Sequence, residues 1–234
     1  MRIAVIADSH ANVIALEKVL SKIKREGYDS VYHLGDSINL GPFPKETVEM
    51  LLDFPNMNFI MGDHDMRYLN DLEGFIPKVE GAVEHYTWSH TMLTPILKDR
   101  INQWPFVQHK QFNNLNISFV HYGLNEEEND FLPIVYEPKI QDLDSYFDRY
   151  QSDLIFFGHT HKIQNVFGHK HYLNPGAVGV NNKAHIPYLL LDIQDNGTYQ
   201  VTQYQIPYNI EQVLKAFHDR NVPNREQIIS IFYQ

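Results

Sequence analysis

The sequence predicts an α/β fold. The first 65 residues alternate short apolar runs with helical patterns. Two later stretches carry hairpin turn signals. Apolar runs repeatedly stop at Asp, His or Gly-Asp. Residues 3–7 form the first β-branched run, a buried strand. Residues 12–25 place Val13, Leu16, Val19, Leu20 and Ile23 at helical spacing and stop at Gly27. "SVYHLGD" is a second strand, "PKETVEMLLDF" a second helix with Pro44 near its start, and "NMNFIMGD" a third strand. Short connections between such elements imply parallel strands and right-handed crossovers.

Residues 66–110 break the pattern. Helical pieces are predicted over about 81–92 and 95–103, with no clear strand, so this stretch reads as a helical insertion or cap. "LNISFVHYG" returns to strand, "NEEEND" is a solvated acidic loop, "KIQDLDSYFDRY" a helix and "DLIFFGHTH" another buried strand. A hairpin is expected around Gly168. Another is expected with Asp195, Asn196 and Gly197 at its turn. Two helical segments, near 209–219 and 223–232, close the chain. The C-terminal part is expected to supply a second, mostly antiparallel sheet. No repeat or linker divides the sequence, which favours a single domain over 1–234 with the cap at about 66–110.

Composition narrows the function classes. Among 234 residues, 29 acidic and 19 basic side chains give a formal charge of −10. That argues against broad nucleic-acid or anionic-membrane binding, though bound metal can reverse the sign of a local site. Cysteine is absent, so a metal would need His, Asp, Glu, Asn or Gln ligands. No apolar run reaches the roughly 18–20 residues that span a bilayer. The N-terminal run is too short for a signal peptide, and a cytoplasmic location is expected.

The strand ends carry the chemistry. They present Asp8-Ser9-His10, Gly35-Asp36, Gly62-Asp63-His64-Asp65, His121 and Gly158-His159-Thr160-His161. Ligands of open α/β sheets gather at the carboxyl ends of parallel strands, so these segments are expected to converge. Alternate residues on an extended segment point the same way, which suits Asp8 with His10 and His159 with His161. An inner shell of four imidazoles and three carboxylates, with His64 and Asp65 adjoining and no thiolate, suits Mn, Fe, Ni, Co or Zn. Seven ligands exceed one such ion and match two that share a carboxylate. Two ions roughly 3.5–4 Å apart can activate a water and clamp a phosphoryl group.

This ordered set resembles the calcineurin-like metallophosphoesterase superfamily. "DSHANVIALEKVL", "LGDSINLGPFP", "YTWSHTMLTPILKDRINQWP" and "LNPGAVG" resemble its bacterial single-domain phosphodiesterase branch. The resemblance implies a four-layer αββα sandwich of two mixed β-sheets flanked by helices, with a small helical cap. It implies that Asp8, His10 and His161 hold one divalent ion, that Asp63, His121 and His159 hold a second, and that Asp36 bridges them. His64 would contact the phosphate and serve the leaving oxygen, with Asp65 fixing its orientation. Asn174 is a candidate substrate contact. The activity implied is phosphodiester hydrolysis, with a metal-bridging hydroxide attacking phosphorus in line. A phosphomonoesterase or protein phosphatase is the enzyme alternative, and a scaffold retaining the fold is the non-enzyme one. The expected partner is a phosphate ester, including nucleotide-type ones, and a homo-oligomer stays open.

Position 63 departs from the family pattern, which has asparagine there. A third inner carboxylate lowers the formal charge of the centre by one. Tighter retention of the second ion and weaker attraction for an anionic phosphate are therefore expected. His33, inside an apolar strand, is expected to be structural. His85, His90 and His109 are assigned to the cap.

Overall fold

The computed structural model describes residues 1–69, 81–181 and 183–233. The first half contains β1 (Arg2–Ile6), α1 (Val13–Glu26), β2 (Ser30–His33), α2 (Pro44–Asp53), β3 (Met57–Phe59) and α3 (Asp63–Leu69). Then come α4 (Ala82–Met92), α5 (Pro95–Ile101), β4 (Val107–Phe112), β5 (Leu115–Val120), α6 (Ile140–Phe147) and β6 (Leu154–Phe156). The remainder is β7 (Gln164–Phe167), β8 (His171–Asn174), β9 (His185–Ile193), β10 (Tyr199–Pro207), α7 (Ile210–Asp219) and α8 (Arg225–Phe232).

β1 is apolar throughout Ile3–Ile6 because both of its faces are covered. Ile3 and Val5 point toward the second sheet, where they join Tyr32, Phe119, Phe156 and Leu189 in one core. Ala4 and Ile6 point the other way, onto Leu16, Val19 and Ile23 of α1. The period of two along the strand thus feeds two separate cores. α1 starts where the Asn12 side chain accepts the Ala15 N–H and stops at Gly27, which adopts φ 78°.

The first sheet has the order β10-β9-β1-β2-β3 and the second the order β4-β5-β6-β8-β7. β1 runs parallel to β2 and antiparallel to β9. In the second sheet β5, β6 and β8 are mutually parallel, with β4 and β7 antiparallel at the two edges. α6 covers the outer face of this sheet through Leu143 and Phe147, packed on Ile155 and Tyr172. Helix, sheet, sheet and helix make the expected four layers. α2 and α5 meet through Val48, Leu97 and Ile101, and α7 and α8 through Val213, Phe217 and Ile228.

Two expectations fail. The C-terminal hairpin does not build the second sheet; it extends the first, with β9 beside β1. All of Ile186–Leu191 is buried, with Leu189 and Leu191 facing the inter-sheet core and Tyr188 and Leu190 facing α1, so this strand belongs in a sheet interior. The second sheet starts instead within the stretch read as cap, at β4. "VQHKQF" alternates weakly and is exposed at His109, Lys110 and Gln111, because β4 is an edge strand. The helical pieces of the cap are α4 and α5, and its residues 70–80 lie outside the described residues. Among the described residues no helix is long and apolar enough to cross a membrane.

The inter-sheet core is held by aromatic faces. The Phe119 ring lies 3.6 Å from that of Tyr32 at 6° and 5.3 Å from that of Phe156 at 12°. Phe119→Ala removes the middle ring, and a loss of about 3–5 kcal/mol in unfolding free energy is expected by urea titration. A loss below about 1 kcal/mol would mean that this stack is not the seam between the sheets.

Candidate metal centre

Most of the candidate ligands stand in the turns that follow strands, and Asp63 opens α3. Asp8, His10, Asp36, His159 and His161 all have positive φ, between 40° and 65°. Such values are uncommon for residues with a side chain. Neighbouring turns hold them by backbone hydrogen bonds: Asp8 N–H to Gly35 O at 3.0 Å, His10 N–H to Asp36 O at 2.9 Å, and Gly158 N–H to His121 O at 2.9 Å. Turns from both sheets are thereby laced into one site.

Two ligand quartets result. Asp8, His10, Asp36 and His161 each offer an atom within 4.8 Å of the others, and so do Asp36, Asp63, His121 and His159. Asp36 belongs to both. Its Oδ1 accepts the His64 backbone N–H at 2.9 Å. Its Oδ2 lies 3.4 Å from His121 Nε2 and 3.7 Å from His10 Nε2. All seven residues named from the sequence therefore fall in the two sets, with the shared carboxylate where a bridge is needed.

The donor chemistry fits divalent cations. Asp8 Oδ2 and Asp36 Oδ2 are buried without a hydrogen-bond partner, a costly state for a carboxylate that a cation would relieve. Imidazole nitrogens crowd together, His10 Nε2 and His161 Nε2 at 3.0 Å and His121 Nε2 and His159 Nδ1 at 3.2 Å. His121 Nδ1 lies 2.7 Å from Leu34 O, and His10 Nδ1 lies 3.3 Å from Ile38 O. Each Nδ1–H then donates to a carbonyl and leaves the Nε2 lone pair for a metal.

Burial sets much of the electrostatics. It lifts the Asp8 carboxyl well above its usual range and lowers His10 well below, with His161 lowered to about 3. Burial would also lower His121, but the Asp36 and Asp63 carboxylates hold it well above the ordinary imidazole range. At Asp63 burial is outweighed by His159, His64 and hydrogen bonds from the imidazoles, which keep the carboxyl well below its usual range.

Gly62 and Gly179 are required by close approach. A Cβ on Gly62 would lie 2.1 Å from Asp36 N and 2.2 Å from Asp36 Oδ1, and one on Gly179 would lie 1.9 Å from Ser9 O. Gly179 also accepts the Asn12 side-chain N–H at 2.7 Å, tying the start of α1 to the "LNPGAVG" turn. His33 is structural: Gly35 N–H donates to Nδ1 at 3.3 Å, so Nε2–H donates to Ser9 Oγ at 2.9 Å. His85 is buried and accepts the Leu40 N–H through Nε2 at 2.9 Å.

Three side chains stand differently from expectation. Asp63 and Asp65 lie in the first turn of α3, not at the end of a strand. Asp65 does not reach toward His64. Its Oδ1 accepts from Ser37 N–H at 3.0 Å and Ser37 O–H at 2.6 Å, and its Oδ2 from Gly62 N–H at 3.2 Å. Burial raises its carboxyl to about 7. Asn174, the candidate substrate contact, is fully buried. Its Nδ2 donates to Gly158 O at 2.7 Å and Thr160 Oγ1 at 3.1 Å, and its Oδ1 accepts Gly176 N–H at 2.8 Å. It holds the turn that carries His159 and has no donor left for a substrate.

Arg67 escaped the sequence reading. It forms an ion pair with Asp63 Oδ2 one helical turn earlier, while Asp63 Oδ1 lies 2.9 Å from His159 Nδ1 and 3.3 Å from His121 Nε2. The i,i+4 spacing was a signal for it. Arg67 carries the unit of charge that Asp63 removes, but it is already engaged by Asp63. Tyr86, brought in by α4, also escaped; its hydroxyl lies 2.7 Å from His64 Nδ1.

A family model described as the calcineurin-like phosphoesterase superfamily domain matches residues 1–196. An uncharacterized protein of Methanocaldococcus jannaschii, MJ0912, is 25% identical over 241 residues, covering 94% of this chain and 93% of its own length. A metallophosphoesterase structure from Sphaerobacter thermophilus superposes with TM-score 0.72 at 22% identity, covering 98% of each chain. The hypothetical protein PH1004 of Pyrococcus horikoshii superposes with TM-score 0.82 at 17% identity, covering 100% of this chain and 98% of its own. These two structures share the fold.

Two outcomes follow from the geometry. Gly62→Ala should push Asp36 out of place, leaving a folded protein that retains less metal by elemental analysis; wild-type metal content would contradict this. Asp8 and His121 hold protons more firmly than ordinary groups, and both must release them to a metal. Metal affinity should therefore fall as pH falls. Calorimetric titrations at pH 7 in two buffers of different ionisation enthalpy should report net proton release, and equal apparent enthalpies would refute it.

Proposed function

Because this chain belongs to the calcineurin-like phosphoesterase superfamily, we propose that it is a metal-dependent phosphoric ester hydrolase with two metal positions, acting on phosphodiesters. The observation that carries this reading is the pair of ligand quartets sharing Asp36. Asp8, His10 and His161 would hold one ion, Asp63, His121 and His159 the other, and Asp36 both. Divalent ions of the Mn, Fe, Ni, Co or Zn kind held there would polarise the phosphoryl group and activate water for attack on phosphorus.

The protein's own part is to place and to protonate. His64 lies beside the first quartet, its ring 5.1 Å from that of His10 and at 89° to it. It is the group that would meet a phosphate oxygen and stabilise or protonate the departing alkoxide or aryloxide. The carbonyls of Leu34 and Ile38 keep His121 and His10 turned toward the centre. Asp65 and Asn174 hold the turns that carry Ser37 and His159. α4 closes over His64 with Tyr86, so residues 1–234 act as one domain and the helices after α3 form part of the site wall.

Charge supports a diester over a monoester. The centre has three carboxylates, and the cation beside it, Arg67, is engaged by Asp63. A singly charged diester suits this balance better than a doubly charged monoester. Nucleotide-type diesters are the substrate class that fits. The unpartnered buried carboxylate oxygens of Asp8 and Asp36 argue for bound cations, and turnover is what separates the enzyme from a metal-holding scaffold.

Turnover of aryl phosphodiesters and monoesters should be compared with added Mn, Ni, Zn and Mg, alongside metal analysis of the purified protein. Diester hydrolysis that chelator abolishes is expected, with kcat falling about 10²–10⁴-fold in His64→Ala. Faster monoester hydrolysis would select the phosphatase alternative. No bound ion and no turnover on added metal would overturn the enzyme reading.

A further inference from the structure

In the reading above, on which this inference rests, His64 must present a ring N–H to the phosphate and its leaving oxygen. What fixes that proton is visible around its ring. His64 sits in the first turn of α3, and its backbone N–H is committed to Asp36. Its Nδ1 faces away from Asp65, toward α4. There it meets the Tyr86 hydroxyl at 2.7 Å and the Asn39 side-chain amide nitrogen at 3.5 Å. The Tyr86 and His64 rings lie nearly parallel, 5.6 Å apart at 8°.

The direction of the Tyr86 bond follows from its neighbours. The amide nitrogen of Asn39 can only donate, so Nδ1 is an acceptor for it. The Tyr86 hydroxyl, which can donate or accept, therefore gives its proton to Nδ1. The neutral ring then carries its proton on Nε2, the nitrogen that Tyr86 does not engage.

Tyr86 is 5% exposed, so water competes little for its bond to His64. Asp65 takes no part, since Ser37 and Gly62 engage its carboxylate.

We propose that Tyr86 is the positioning residue of His64, holding its proton on Nε2. The role expected of Asp65 is then taken by a side chain from α4.

The test is Tyr86→Phe in the full chain loaded with zinc, which is diamagnetic, with nitrogen NMR of the His64 ring. The wild type should show Nδ1 unprotonated and Nε2 protonated, and Tyr86→Phe should show a mixture of the two tautomers. With aryl diesters, kcat for a poor leaving group should fall about 10–100-fold while a good leaving group and KM change little. Asn39→Ala, which removes the other donor to Nδ1, should shift the ring nitrogens in the same direction, so a folding defect in one variant does not decide the matter. Asp65→Asn should lower the melting temperature and leave the tautomer as it is. A wild-type ring protonated on Nδ1, or nitrogen shifts unmoved in Tyr86→Phe, overturns the proposal. If the wild type hydrolyses no ester, the functional reading fails separately, and the ring nitrogens still report whether Tyr86 fixes His64.

Discussion

The structure depends on placing the Asp36 carboxylate, fully desolvated, between two sets of imidazoles. One oxygen is satisfied by the His64 backbone N–H, and the other is left open between His10 and His121. An open buried carboxylate is expensive, and the surroundings are built to force it. The Gly62 backbone lies so close to Asp36 that no side chain fits between them. His33, neutral and with its ordinary value lowered by burial to about 3, braces the turn before Asp36 through Ser9 and Gly35. Removing water from these groups leaves cations as the natural partners of the centre.

Backbone geometry is the second expense. Five of the seven ligand residues have positive φ, a conformation that costs about 1–3 kcal/mol at a residue with a side chain. It persists because each turn is bonded to a turn from another part of the chain. Those bonds join residues far apart in sequence, such as Gly179 N–H to Asp8 O at 2.9 Å. The inter-sheet core of Ile3, Val5, Phe119 and Phe156 then acts as the platform that keeps both sets of turns in register. Stability stored between the sheets is used at their rim.

The ligand set was legible because each ligand is announced locally. A short apolar run followed by Asp, His or Gly-Asp is a strand and its polar end, and sequence order alone lines up the ends. Features made by tertiary contact were not legible. Tyr86 stands in a helix whose pattern says nothing about His64, and only the packing of α4 brings them together. β4 was missed because an edge strand needs little apolar alternation. β9 was assigned to the wrong sheet because a hairpin signal is local, while the partner of its outer edge lies at the other end of the chain. Asn174 shows a subtler failure. A polar residue beside a site suggests contact with substrate, yet its hydrogen bonds are spent on Gly158, Thr160 and Gly176. Arg67 lay within reach, since an arginine four residues after Asp63 on a helix is a pairing rule.

The place of β9 beside β1 also governs how the protein is made. β1 carries the chain toward Asp8 and His10, and a ribosome releases it before β2 and β9. Its two neighbours arrive at very different times: β2 begins at Ser30 and β9 at His185. Until then one whole edge of β1 offers unpaired backbone groups. A contact of such sequence separation carries a large loop-closure cost and forms late. The nascent chain therefore holds Asp8 and His10 beside an unfinished sheet until β9 is made. The centre becomes complete only as the C-terminal hairpin docks, which makes that docking the event that separates a metal-competent protein from an edge open to aggregation.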